Sequence, residues 1–315
     1  MTTENPIALT GNLPNRDKEP TNARVLDAWI AAAHDKLELD SGRLGWLVAS
    51  TVVVAALQRA VGSPNRPTFL LKGGTYLQHR LGKSARPTKD VDGIVSGDID
   101  EFVSQLDAVL ADPWGPLTLE RGPIETIDAP ARVAKPRRFD VRLSIRGKVW
   151  RKIQVEIAPD EGSATLETDE LAAPRLDHFG LPSPDRLLGI ALRYQIAQKL
   201  HACTDPHDPP TTRNDRARDV VDLLALRDLA QVEDVVTLRD LHTACADVFS
   251  ARAHDAQVLG RAVRRWPCTV VVHPHWRTDF IAAAAAVERP DPTIDRAVSE
   301  VNSWITAIVG ATQST

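Results

Sequence analysis

"LKGGTYLQHRLGKSARPTKDVDGIV", from Leu71 to Val95, sets a Gly-Gly-Thr turn after an apolar run and two aspartates one residue apart before another. "TFLL" (Thr68–Leu71) reads as a short buried strand, "GTYLQHRL" as a helix opening at the glycines, and "DVDGIV" as a second strand. Alternate strand residues share a face, so Asp90 and Asp92 project from one side of it, about 7 Å apart. Two carboxylates held there repel each other. A hard divalent cation such as Mg2+ relieves that repulsion through oxygen ligation and keeps positions open for phosphate oxygens. Gly73 and Gly74 supply the complement: their N–H groups can approach a polyphosphate closely at a helix N-terminus, where negative charge is favoured. Thr75 adds a hydroxyl donor. A Gly-Gly alone is most often a turn and a D-x-D alone a solvated strand edge, but strand, Gly-Gly, helix and D-x-D strand in that order point to a nucleotide site.

Working outward, "ARVLDAWIAAAHDKL" after Asn22 and the stretch from Gly42 to Gly62 read as two helices, the second Ala-rich and mostly buried. "DIDEFVSQLDAVLAD" returns to helical periodicity with its cap near Gly97 and Asp98. "RRFDVRLSIRGKVWRKIQVEIAP" is the clearest hairpin. Phe139, Val141, Leu143 and Ile145 alternate with polar neighbours before an Arg146-Gly147 turn; Ile153, Val155 and Ile157 then face away from Lys152, Gln154 and Glu156. After a connection from Pro159 to Pro182, a helix is expected to open at Ser183 with Pro184 in its first turn. Further helices are expected near 215–229, 237–250, 254–265, 277–288 and 293–309. The fold class is therefore α+β: a mixed β-sheet core with flanking helices, followed by a C-terminal helical bundle. The expected division is a flexible tail over 1–23, an α/β domain over 24–180 and a helical domain over 181–315.

Composition narrows the partners. The formal net charge is −4, which argues against a nucleic-acid binder relying on bulk positive charge and leaves local patches to be read individually. Basic runs at Arg132–Arg138 and Arg142–Lys152 flank the hairpin and would suit an RNA backbone; a third is Arg261–Arg265. Cys203, Cys245 and Cys268 are odd in number and widely spaced, the pattern of a cytoplasmic protein rather than of a disulfide framework. The first residues lack the pattern of a signal peptide, and "LGWLVASTVVVAALQ" falls short of the roughly 18 apolar residues of a membrane span. His273/His275 and His201/Cys203 lack the two-pair spacing of a zinc site.

The ordered elements resemble the nucleotidyltransferase superfamily with a DNA-polymerase-β-like core, and more closely its AbiEii/MenT family of toxins. In that family KGGT precedes an Arg, then a Ser or Thr, then DxD. Here these are Lys72–Thr75, Arg86, Thr88 and Asp90/Asp92, with Gly93 where a bulkier apolar residue is common. "QIAQKLHA" is similar to a further family motif, which implies Lys199 as a phosphate-contacting cation. "RARDVVDLLAL" is similar to the RDxxDL motif and implies Arg218, Asp219 and Asp222, with Val221 in place of a frequent aromatic. Two-metal transfer also asks for a third carboxylate on a neighbouring strand; Glu156 fits that position and Asp140 competes with it.

The resemblance implies a nucleotidyltransferase-like core binding an NTP with Mg2+ or Mn2+. Asp90, Asp92 and Glu156 would be metal ligands. Lys72, Gly73, Gly74, Thr75, Arg86, Thr88 and Arg218 would be nucleotide-binding, with Lys199 and Asp219 brought to the cleft by the helical domain. It implies a bacterial toxin with a cognate protein antitoxin, transferring NMP to an RNA 3′-hydroxyl, foremost the tRNA acceptor end. Transfer to a protein hydroxyl or a small molecule, and a non-catalytic nucleotide-binding role, are the alternatives.

Overall fold

Asn22 accepts the Val25 N–H through its side chain and starts α1 (Ala23–Leu37). Asp40 caps α2 (Ser41–Leu57) in the same way through the Arg43 N–H. The computed structural model describes residues 13–37, 40–62, 66–234, 236–287 and 293–312. Residues 1–12 of the expected tail lie outside these. The described part of that tail is anchored rather than loose: the Arg16 N–H donates to the Asp177 carbonyl, and the Arg16 guanidinium lies 4.2 Å from the Trp29 ring centre.

The chain forms two units. The first comprises the residues up to Ala129 with Ala134–Asp160 and Thr168–Gly189; the second comprises Pro130–Val133, Glu161–Glu167 and the chain from Ile190 onward. The division thus falls at Gly189 rather than at 180, and two short segments of the first half are lent to the second.

In the first unit a short pair, β1 (Val61–Gly62) and β2 (Arg66–Pro67), precedes the main sheet. That sheet contains β3 (Phe69–Lys72), β4 (Asp90–Val95), β5 (Leu117–Arg121), β6 (Glu125–Thr126), β7 (Arg137–Ile145), β8 (Lys148–Pro159), β9 (Thr168–Ala172) and β10 (Arg186–Ile190). Its order is β5-β7-β8-β4-β3-β10-β9, with β6 on β7. β4 runs parallel to β8 and antiparallel to β3, so the sheet is mixed. Two helices follow strands of this unit: α3 (Gly73–Leu81) directly after β3, and α4 (Ile99–Ala111), capped by Asp98, after β4. Phe139, Val141 and Leu143 of β7 pack with Ile153, Val155 and Ile157 of β8 in the core, as the alternation requires.

β10 replaces the helix expected from Ser183. Gly189 pairs with Leu71 in parallel, and a Cβ there would lie 2.6 Å from the Tyr76 ring, so the glycine lets this strand reach the sheet. The helix begins only at α5 (Leu192–Cys203). The second unit continues with α6 (Ala217–Glu233), α7 (Leu238–Val258), α8 (Trp276–Ala285) and α9 (Ile294–Gly310). The two helices expected over 237–250 and 254–265 are one: α7 runs unbroken from a Thr237 capping box to Val258, and 261–265 is not helical.

The two lent segments bring Arg132 and Glu161 into this unit. Arg132 Nη1 donates to Glu161 Oε1 at 2.7 Å, Gln198 donates to Oε2 at 3.0 Å, and Arg252 pairs with the same carboxylate. Both Arg132 and Glu161 are buried, so Arg132 is spent inside the unit and does not extend a solvent-facing basic run. Nearby, Asp247 Oδ2 accepts the Ser163 N–H at 2.7 Å and the Tyr194 hydroxyl at 3.0 Å. Among the described residues no helix is long and apolar enough to cross a membrane.

Candidate active site

Directly opposed residues of neighbouring strands share a face, and the register lines up a polar row across the first unit's sheet. Lys72 of β3 opposes Asp92 of β4, Asp92 opposes Glu156 of β8, and Glu156 opposes Arg138 of β7. One step along, Asp90 opposes Gln154, and Gln154 opposes Asp140. Asp90 and Asp92 are half-buried while Val91 between them is buried, which puts both carboxylates on the polar face.

The turn is fitted to this row. Gly73 has φ +65°, and a Cβ on it would lie 2.5 Å from Asp92 Oδ2; a Cβ on Gly74 would lie 3.0 Å from Thr88. The two glycines therefore let the start of α3 approach Asp92 and Thr88. Its N-cap, Lys72, makes no side-chain cap. Thr75, expected to donate to phosphate, is fully buried and donates instead to the Asp90 carbonyl at 2.7 Å. It fixes β4 from behind. Gly93 is required by its neighbour: a Cβ would stand 2.1 Å from the Phe69 ring.

Two residues that sequence reasoning passed over hold the loop before β4. Arg43 Nη2 donates to the carbonyls of Gly82 (3.0 Å) and Ala85 (2.7 Å), and Trp46 Nε1 donates to the Lys89 carbonyl at 3.1 Å. That loop carries Arg86 and Thr88, both half-buried. The signal was an Arg and a Trp at helical spacing at the head of an otherwise apolar helix.

Of the two candidate third carboxylates, Glu156 stands beside Asp92. Asp140 is on β7, beyond β8, and pairs with Lys152 Nζ at 2.9 Å. Arg138 engages Glu156: its Nε (2.8 Å) and Nη2 (2.6 Å) both donate to Oε1. That pairing, with Asp90 nearby, raises the guanidinium's pKa.

Asp90 and Asp92 fit a small hard cation, because Mg2+ takes one or two carboxylates and fills its shell with water and phosphate oxygens. Among the described residues no group of three or more His, Cys, Asp or Glu side chains is arranged as a metal cage.

In the second unit, Lys199 of α5 donates through Nζ to Asp219 Oδ1 at 2.7 Å and to Asp222 Oδ2 at 2.8 Å. The two aspartates stand one turn apart on α6, and all three side chains are buried. Arg216 lies 3.6 Å from Asp219 Oδ2, while Arg218 is exposed. Burial first, then Asp219, pushes the Cys203 thiol far up, so it is no nucleophile. The loop into α6 is braced by His207, whose Nδ1 accepts the Asn214 N–H, and by His275, whose Nε2 meets the Asn214 carbonyl. These histidines, with His273 beside them, brace the loop and make no zinc site among the described residues.

The model of the family described as "Nucleotidyl transferase AbiEii toxin, Type IV TA system" matches residues 55–300. The chain belongs to this family of nucleotidyltransferase toxins. The match takes in the Gly-Gly turn, the aspartate pair, Glu156 and the Lys199 cluster. A search of curated proteins finds none that matches. Among solved structures, the nucleotidyltransferase toxin MenT4 of Mycobacterium tuberculosis H37Rv is similar, with 16% identity and a TM-score of 0.50. The alignment covers 91% of this chain and 98% of that one, so the likeness in fold extends through the helical unit. The α+β nucleotidyltransferase toxin fold of the AbiEii family is thus this chain's fold.

Proposed function

We propose that the chain transfers a nucleoside monophosphate from an NTP to the 3′-hydroxyl of an RNA, foremost the acceptor end of tRNA, and thereby blocks translation. The observation that carries this reading is the pair Asp90 and Asp92, on one sheet face with the glycine turn of α3 closed against them. The acceptor oxygen attacks the α-phosphorus, a new P–O bond forms, and the bond from that phosphorus to the bridging oxygen breaks to release pyrophosphate. Divalent metal held by Asp90 and Asp92, with Glu156 as third donor, would lower the hydroxyl's pKa and neutralise developing charge. The backbone at Gly73 and Gly74 receives the triphosphate at the N-terminus of α3, and Lys72, Arg86 and Thr88 flank it. In the helical unit Lys199 is held by Asp219 and Asp222, and the family resemblance assigns Lys199, Asp219 and Arg218 to the same nucleotidyl transfer.

We further infer a cognate protein antitoxin from membership of a toxin–antitoxin family, and a cytoplasmic site of action, which the free thiols of all three cysteines suit.

The test is incubation with each labelled NTP, total tRNA and protein extract, followed by sequencing of tRNA 3′ ends. Label should enter RNA with the wild type and not with Asp90→Ala. Label confined to protein would overturn the RNA acceptor, and label in neither would overturn the transferase reading.

A further inference from the structure

We infer that Arg138 is a positioning residue that controls whether Glu156 can serve as the third metal ligand. The inference rests on the metal-dependent reading above. Three carboxylates and one guanidinium share this part of the sheet face: Asp90, Asp92, Glu156 and Arg138. Arg138 places both its Nε and its Nη2 on the same oxygen, Oε1 of Glu156, and Gln154 Nε2 reaches that oxygen at 3.5 Å. Oε2 accepts no hydrogen bond among the described residues. A cation binding Asp92 and Glu156 together must therefore compete with a guanidinium already neutralising Glu156, or take only the other oxygen.

Charge-assisted hydrogen bonds of this length are among the stronger polar contacts. Yet the Arg138 side chain is 41% exposed, so it can leave into water without burying an unpaired charge. The ion pair is thus strong enough to hold Glu156 and loose enough to open. Arg138 makes the third ligand conditional: Glu156 joins Asp90 and Asp92 only as its ion pair with Arg138 yields. Lys152, four residues before Glu156 on β8, is paired with Asp140 and does not touch Glu156.

Mn2+ titration followed by electron paramagnetic resonance, on the full chain without NTP, tests this. Arg138→Gln should tighten Mn2+ binding about tenfold, Arg138→Lys by less, and Lys152→Gln by under about twofold. In a Glu156→Gln background the Arg138→Gln effect should fall to the Lys152→Gln level, which separates release of Glu156 from a general change in field. Equal tightening by Arg138→Gln with and without Glu156, or none at all, overturns the inference. Mn2+ binding that Asp90→Ala abolishes upholds the metal reading independently. Wild type that binds no Mn2+ through Asp90 overturns that reading and this inference with it. Unchanged melting temperature in Arg138→Gln excludes unfolding as the cause.

Discussion

Gly73 and Asp92 compete for one small volume: a side chain on the glycine would begin 2.5 Å from the aspartate's Oδ2. Gly73→Ala therefore meets two costs. At φ +65° it pays about 1–2 kcal/mol of backbone strain, and it must also move a carboxylate of the site. Gly97→Ala, at φ +91° with nothing within 4 Å, meets only a backbone cost. Both variants should lower the melting temperature, but only Gly73→Ala should cut label transfer, by at least about tenfold.

Phe69 and Gly93 are similarly interlocked. Gly93→Val should destabilise by about 1–3 kcal/mol through overpacking, read from urea unfolding. Phe69→Leu in the Gly93→Val background should recover part of that loss. An additive double variant would show that the ring is not what excludes the side chain.

Toxicity assays need a stability control, because Asp90 is half-buried while Lys199 is buried between two carboxylates. Asp90 is half-buried, and Asp90→Ala should abolish toxicity with little change in melting temperature. Lys199→Ala strands two buried aspartates and should cost about 3–5 kcal/mol besides activity. Thermal melts of the purified variants check this. Equal melting of Lys199→Ala and wild type would show that the cluster is not held as described.

Acid should weaken the fold through His79. Burial lowers this ring's pKa to about 4, and both its nitrogens are buried without hydrogen-bond partners among the described residues. The unfolded ring titrates near about 6.5, so its contribution is intact above that pH and is lost as pH falls towards 4, by about 3 kcal/mol at most. His201, lowered to about 2 chiefly by burial, acts in the same direction. His79→Leu should flatten the stability profile between pH 6.5 and 4 and raise stability at pH 5, measured by chemical denaturation.

Period and punctuation made much of the first unit legible. β3, the glycine-led α3 and β4 stand where the opening stretch puts them, because alternation and glycine placement are local signals. The pairing across the hairpin was not legible. Counting back from Arg146-Gly147 would set Arg138 against Val155. A bulge intervenes: Ser144 pairs with Val149 but Leu143 with Arg151, leaving Trp150 without a cross-strand partner. That one residue turns Arg138 onto Glu156, and its indole N–H is fixed by Asp27, more than a hundred residues upstream. β10 was missed for a similar reason. "RLLGI" next to a helical pattern reads as more helix, and only the parallel partner Leu71 makes it a strand. In the Lys199 cluster, motif likeness pointed to Lys199, Asp219 and Asp222, but the sharing of one ammonium by both aspartates depends on the angle at which α6 meets α5.

The path of the chain has a consequence for dissection. The helical unit owes its central buried carboxylate, Glu161, and one of that group's arginines, Arg132, to segments that precede Gly189. A fragment beginning at Ile190 keeps Arg252 and Gln198 but loses the anion they surround. No single cleavage point separates the two units, so any fragment cut at Gly189 lacks part of its own buried network.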